Sequence, residues 1–300
     1  MQLAHDITAP VRTPARSVDR IAAARRDLEF TAGVGQRHGF DSGATLVVVG
    51  RGRVCVRTAD GVLALRGGEA GAFHGAVEVF PVRVGSGIWG MVNGTDDAWL
   101  RALQRATSEL TPAALLPGFG ACPPRVRRSL FRALRAGGEG NALAASLRRE
   151  FLQELIDWQE PRRVQVEACP GRTLQQRRNV YARLQRVRHY MVANSSVDLD
   201  TRALAAVVSY SPWHFIRIFD AVFGETPHDF LMRRRLDEAR RLLRESRLAI
   251  AEIALVAGFD NRCTFARLFR RRYGITAGDY RREHAPAAAM SARECASDAA

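Results

Sequence analysis

The chain contains no lysine; all 45 of its Lys+Arg residues are arginine. A lysine Schiff base, a pyridoxal-phosphate lysine and a phosphate-loop lysine are thereby excluded. Cysteine is scarce as well. The five thiols, at 55, 122, 169, 263 and 295, are odd in number and form no C-x-x-C pair, which suits reduced cysteines rather than a disulfide framework or a zinc site. No apolar run approaches the roughly 18 residues that cross a bilayer. The N-terminal arginines are not followed by an apolar stretch, so a secretory signal is not expected either. The expectation is a cytoplasmic protein with no membrane partner. Histidine is thin in the region where a metal-dependent β-barrel enzyme would need it. Only His38 and His74 occur there, without an H-x-H pair, and Glu69 and Glu78 flank His74 at poor spacing. The reading is therefore of a non-enzyme: no catalytic residue, no metal and no cofactor.

What is present is length, apolar mass and positive charge. The 300 residues allow about two domains, and 47% apolar content can build real cores. The net charge of +14 is uneven: 22 arginines oppose 17 acids up to Pro170, and 23 oppose 14 from Gly171 onward. An excess of this sign suits a polyanion, most often nucleic acid. The codon bias of a GC-rich genome would also enrich arginine, so charge alone leaves the partner open.

The pattern predicts an α+β chain. Residues 1–26 lack apolar periodicity and read as a flexible arm. From about Asp27 to Gly94 the texture is β: Ala44–Val49, then Arg53–Thr58 with Val54 and Val56 on one face, an Asp60-Gly61 hairpin signal, Val62–Arg66, and short strands near Val77–Val84 and Ile88–Val92. Many short strands between glycine turns suggest a small barrel or sandwich. Helices follow at Ala98–Leu110, at Arg125–Ala136 stopped by Gly137-Gly138, and from a cap at Asn141 to Trp158. The last has a stripe of Leu143, Leu147, Phe151, Leu155 and Trp158, which suits a core or a subunit interface. Residues 27–160 are thus a β unit with a helical extension, and 161–173, with Pro161, Pro170 and Gly171, read as a linker. Residues 174–285 read as all-helical, opening with Leu174–Ala193, and 286–300 as a disordered tail.

The helical part repeats itself. At an offset of 50, Phe215 meets Phe265, Arg217 Arg267, Phe219 Phe269, Phe223 Tyr273, Gly224 Gly274, Thr226 Thr276, Asp229 Asp279 and Phe230 Tyr280. Upstream the offset is 49: Leu204/Ile253, Ala205/Ala254 and Tyr210/Phe259. Each copy reads helix, tight turn, helix. Ser211 caps the second helix of the first copy, Asp260 or Asn261 that of the second, and Gly224 and Gly274 stop them. This is the helix-turn-helix pattern. The intervening Pro227–Glu245 would span roughly 28 Å as a helix. That sets two recognition helices nearly one DNA turn, about 34 Å, apart. A bundle of helical hairpins would share the pattern but not the basic outer faces.

Residues 197–282 resemble the DNA-binding domain of the AraC/XylS family of bacterial transcription regulators. The resemblance is carried by LAAVVSYSPWHFIRIFDAVFGETPHDFL, RRLDEARRLLRES and IAEIALVAGFDNRCTFARLFRRRYGITAGDYRR. The β region resembles, less specifically, the cupin-like barrel that many members use for effector binding and dimerisation. The resemblance implies a sequence-specific, DNA-binding transcription factor with two successive major-groove segments as its target. It also implies a homodimer and a small-molecule effector of unknown identity, and it admits RNA polymerase as a protein partner. A β unit that only dimerises or binds another protein is the alternative.

A recognition helix presents its exposed N-terminal residues to base edges. These are Trp213, Ile216 and Arg217 in the first copy and Arg262, Cys263, Ala266 and Arg267 in the second, and the resemblance supports the same positions. Each of the three arginines can offer two donors to guanine or contact a phosphate. Trp213 and Ile216 suit a thymine methyl or the sugar backbone. Cys263 and Ala266 depart from the polar residues often seen at these places, and Cys263 reads as a small surface residue rather than a redox switch. Arg233–Arg235 and Arg270–Arg272 are assigned to phosphate or solvent, with Arg271 and Arg272 as the phosphate contacts; Arg281 and Arg282 have no clear ligand. In the β unit His38, Phe40, Phe73, His74, Phe80 and Trp89 could line an effector pocket, but none is singled out.

Overall fold

The computed structural model describes residues 27–83, 87–107, 114–136 and 141–284. The expected arm, tail, Val84, Leu110 and Gly137-Gly138 lie outside them.

The β unit opens with eight strands: β1 (Glu29–Val34), β2 (His38–Phe40), β3 (Ala44–Arg51), β4 (Arg53–Thr58), β5 (Gly61–Arg66), β6 (Glu69–His74), β7 (Val77–Pro81) and β8 (Ile88–Gly94). Helix α1 (Asp96–Ala106), strand β9 (Gly118–Ala121) and helices α2 (Pro124–Arg135) and α3 (Ala142–Glu167) follow. The strands form two antiparallel sheets, ordered β1-β8-β3-β6-β9 and β2-β7-β4-β5. The central strand β3 is buried on both sides, which is why it reads as an unbroken apolar run. Its Val47 and Val49 face the inter-sheet core with Val54, Val56, Leu63, Leu65, Trp89 and Met91. Leu46 and Val48 face Trp99, Leu130, Phe151 and Leu155 of the helical layer. Trp99 Nε1 donates to the Ala44 carbonyl at 2.8 Å and pins α1 to the sheet.

The α+β class holds, but the expected barrel does not close. The sheets keep β1 and β9, and β2 and β5, as separate edges. Closure is replaced by cover: the helix that follows α3, over Leu174–Ala193, packs along β5. The 161–173 linker is also corrected. Helix α3 runs through Pro161 to Glu167. Proline forfeits a backbone bond and crowds the preceding turn, but packing on both sides holds the helix. The buried Gln159 accepts from the Leu116 N–H at 3.0 Å, and Val166 and Cys169 sit in a core shared with the next helices. The stripe on α3 buries Leu147, Phe151 and Leu155 within the chain's own core, whereas Leu143 is exposed.

The described residues that follow are helical: α4 (Leu174–Ala193), α5 (Thr201–Val207), α6 (Pro212–Phe223), α7 (Pro227–Glu245), α8 (Ile250–Val256), α9 (Arg262–Tyr273) and α10 (Ala277–His284). Thr173 and Gln176 form a capping box that starts α4. The β4–β5 hairpin docks on α4, where Arg186 clasps Asp60 at 2.9 Å. Arg66 and Glu238 pair across the same seam at 3.4 Å.

Candidate nucleic-acid interface

Each helix-turn-helix is built by the same local chemistry. After α5 the Tyr210 N–H donates to the Ala205 carbonyl at 3.0 Å, and after α8 the Phe259 N–H donates to Ala254 at 2.9 Å. Ser211 Oγ accepts from the His214 N–H to cap α6, and Asn261 Oδ1 accepts from the Cys263 and Thr264 N–H groups to cap α9. Gly224 and Gly274 end the two helices in the left-handed conformation. The inward faces are Phe215, Ile218, Phe219 and Val222 on α6 and Phe265 and Phe269 on α9.

The opposite faces meet solvent. On α6, Trp213 is 65% and Ile216 38% exposed, and the Arg217 guanidinium lies 4.6 Å over the Trp213 ring. That stacking orders an otherwise floppy side chain on the outer face. On α9, Arg262, Cys263, Ala266 and Arg267 are all exposed. Arg217, Arg262, Arg267, Arg270 and Arg271 pair with no carboxylate among the described residues. All seven residues expected to touch bases therefore lie on two outward faces, joined by the 19-residue α7. His214 shares the α6 face, standing 5.1 Å edge-on to Tyr210, and was not singled out from the sequence. Its position beside the helix start was the available signal.

The arginine runs divide. Arg271 is exposed, but Arg272 is held by Asp237 at 3.3 Å, so a phosphate would have to compete with that carboxylate. The assignment of Arg233–Arg235 to phosphate or solvent is corrected. Three consecutive helical positions cannot all face outward when the neighbouring residues carry the core stripe. Arg233 grips Glu225 at 2.6 Å, Arg234 turns into the seam with the β unit, and Arg235 is buried. Arg235 donates to the Ser195 and Val197 carbonyls at 2.8 Å each, tying the α4–α5 loop to α7. Arg281 donates to the Leu248 carbonyl at 2.7 Å, and Arg282 pairs with Asp279.

Among the described residues the thiols Cys55, Cys122, Cys169 and Cys263 are free, with Cys263 exposed. Burial pushes Cys122 up to about 11 and Cys169 up to about 12. Of the residues that could have lined an effector pocket, Phe73 and His74 border a cavity of about 430 Å³ between β6, β9 and α4. His189 of α4 also lines it, its ring 5.5 Å from Phe73, and burial lowers its pKa. Phe80 instead lies under Arg37 and Arg57, and Trp89 is in the inter-sheet core. No described helix is long and apolar enough to cross a membrane.

Residues 204–283 match the family model described as a helix-turn-helix domain. The chain is 36% identical over 88 residues to "Probable transcription factor PqrA" of Proteus vulgaris, covering 29% of this chain and 70% of that one. It is 32% identical over 142 residues to the HTH-type transcriptional regulator GlxA of Rhizobium meliloti, covering 47% of this chain and 44% of GlxA. Among solved structures, it is similar to a transcriptional regulator with an AraC-type DNA-binding domain from Chromobacterium violaceum. That match has 28% identity, 35% of this chain and 94% of the other covered, and a TM-score of 0.33. The chain thus spans most of PqrA but less than half of GlxA. It belongs to the AraC/XylS family of DNA-binding transcriptional regulators.

Proposed function

We propose that α6 and α9 enter two successive major-groove segments of one operator, and that Trp213, Ile216, Arg217, Arg262, Cys263, Ala266 and Arg267 make the contacts that select sequence. The observation that carries this reading is the pair of outward helix faces whose guanidinium groups have no carboxylate partner among the described residues. Arg217, Arg262 and Arg267 offer the two-donor fork that matches guanine O6 and N7. Trp213 and Ile216 supply apolar contact, and Arg271 anchors a phosphate. Arg272 joins it only by leaving Asp237. The same reading includes a cytoplasmic homodimer, in which two DNA-binding units gain affinity through effective concentration. It also includes contact with RNA polymerase and a small-molecule effector received by the β unit, ahead of a DNA-binding unit that begins with α4 at Leu174.

A second reading confines the β unit to pairing with a protein. It is favoured by Val34 and Ile88, cross-strand partners in β1 and β8 that are 61% and 42% exposed.

Selection of bound duplexes from random DNA by the full chain tests the proposal. A defined motif with two conserved segments about 10–10.5 base pairs apart is the expected result. Recovery of unrelated sequences with one uniform affinity would refute sequence-specific recognition.

A further inference from the structure

We propose that the seam between the β unit and the first helix-turn-helix unit is a binding site for a small oxyanion, a carboxylate or phosphate group, held by Arg188 of α4 and Arg234 of α7. The proposal rests on the effector reading above and gives that effector a place and a chemistry.

A cavity of about 260 Å³ lies there, bordered by Arg188, Arg233, Arg234, Glu69, Phe119 and Phe230 among others. Of its charged groups, two are already satisfied. Arg233 is clamped by both oxygens of Glu225, at 2.6 and 3.0 Å. Glu69 accepts from the Arg66 backbone N–H at 2.9 Å. The other two are not. Arg234 makes no hydrogen bond or ion pair among the described residues; burial lowers its pKa, and Asp237, Glu69 and Glu238 offset this only from beyond contact. Arg188 has one polar partner, the Gln185 side-chain oxygen at 3.2 Å, and its Nε is buried without any. Burial lowers its pKa to about 10.

Arg188 is surrounded instead by aromatic faces. Its guanidinium lies 4.5 Å from the Phe223 ring, 4.9 Å from Phe230 and 5.7 Å from Phe119. Cation–π contact offsets part of the lost hydration, yet a guanidinium keeps forked donors that rings satisfy poorly. A largely desolvated cation whose counter-charges stand beyond contact is costly. Two of them beside one cavity present the donor set that a carboxylate or phosphate accepts in bidentate fashion. The volume lies just below that of pockets for drug-sized ligands, so the ligand, or the part of it inside, is small.

The cage also explains how occupancy would reach DNA. Phe119 belongs to β9, Phe223 is the last residue of α6, and Phe230 lies in the first turns of α7. An anion that draws the Arg188 guanidinium toward the cavity changes its packing against the end of the first recognition helix.

The test is calorimetric titration of the full chain with inorganic phosphate and, separately, succinate, at ionic strength held constant with sodium chloride. We expect one saturable site per chain for at least one probe. Phosphate alone would point to a phosphate ester and succinate alone to an organic acid, and either supports the site. Arg188→Met and Arg234→Gln should each weaken binding by about tenfold or more, as loss of charge-assisted bonds does. Arg188→Met should keep or raise the melting temperature without anion, since it removes a desolvated charge that no carboxylate contacts. If that variant does not fold, Arg234→Gln carries the comparison. No saturable heat with either probe, or equal binding by wild type and the folded variants, overturns the site. Operator binding by the wild type in anion-free buffer is measured alongside. Operator binding without anion binding removes this inference alone, whereas loss of operator binding removes the DNA reading beneath it.

Discussion

In the first helix-turn-helix unit the Phe219 ring stands 5.6 Å from Phe215, 4.8 Å from Phe223 and 5.9 Å from Phe230. In the second, Phe269 stands 5.5 Å from Phe265, 4.6 Å from Tyr273 and 5.8 Å from Tyr280. The helix starts match as well: Thr226 and Asp229 join at 2.7 Å ahead of α7, and Thr276 and Asp279 at 2.6 Å ahead of α10. The outer faces do not match. Trp213 corresponds to Cys263 and Ile216 to Ala266; of this face only Arg217 and Arg267 repeat. The turns differ too, since Ser209 holds a φ of 57° where Gly258 holds 92°. Packing allows the buried positions little choice, while the solvent faces have diverged in bulk, as two helices reading different base steps would.

The largest effects should fall on the shared skeleton. Phe219→Ala and Phe269→Ala should each cost about 3–5 kcal/mol, typical of truncated core aromatics. Thermal melting by circular dichroism reads this, and an unchanged midpoint for either would break the equivalence of the two cores.

At the face proposed to read bases, Arg217→Ala should lose about 1–3 kcal/mol on the selected operator and much less on random duplex. Arg267→Ala should lose less, because Cys263 and Ala266 give α9 fewer contacts to act with it. Equal losses on both duplexes would reassign these arginines to phosphate.

The two turns should respond in opposite directions. A Cβ at Gly258 would lie 2.6 Å from the Ser195 carbonyl and 2.8 Å from Arg235 Nε, on top of its positive φ. Gly258→Ala should therefore cost at least the 1–2 kcal/mol of a left-handed non-glycine residue. Ser209→Gly should relieve a similar strain and gain up to about 1 kcal/mol, less what glycine adds to unfolded-chain entropy. Urea melts of both variants give the comparison, and same-sign shifts would contradict it.

The smallest effect concerns phosphate. Arg271→Ala should lower the slope of log affinity against log salt by about one and weaken all duplexes alike. A slope equal to wild type would take Arg271 off the backbone.

How much of this was legible in the sequence depended on the range of the forces involved. Helices α4, α6, α7 and α9 begin after Thr173, Ser211, Thr226 and Asn261, and α6 and α9 end at Gly224 and Gly274. Caps and glycine stops act over a few residues, so they can be read locally. Strand β9 could not: its GFGA has no β-branched residue, and its pairing to β6 is what makes it a strand. Pro161 signalled a break that packing of Gln159 and Val166 overrides. The three fates of Arg233, Arg234 and Arg235 follow from what Glu225, the β unit and the Ser195 carbonyl place beside them, and none of these is adjacent in sequence. The outward positions of α6 and α9 were legible because an amphipathic helix of known start has only one outward face.

The central claim is that both units read DNA, each through its own arginine. Guanine-N7 methylation interference on the selected operator tests it most directly. The account predicts two clusters of interference about 10–10.5 base pairs apart, with one cluster lost in Arg217→Ala and the other in Arg267→Ala. A single cluster, or two clusters that persist unchanged in both variants, would contradict it.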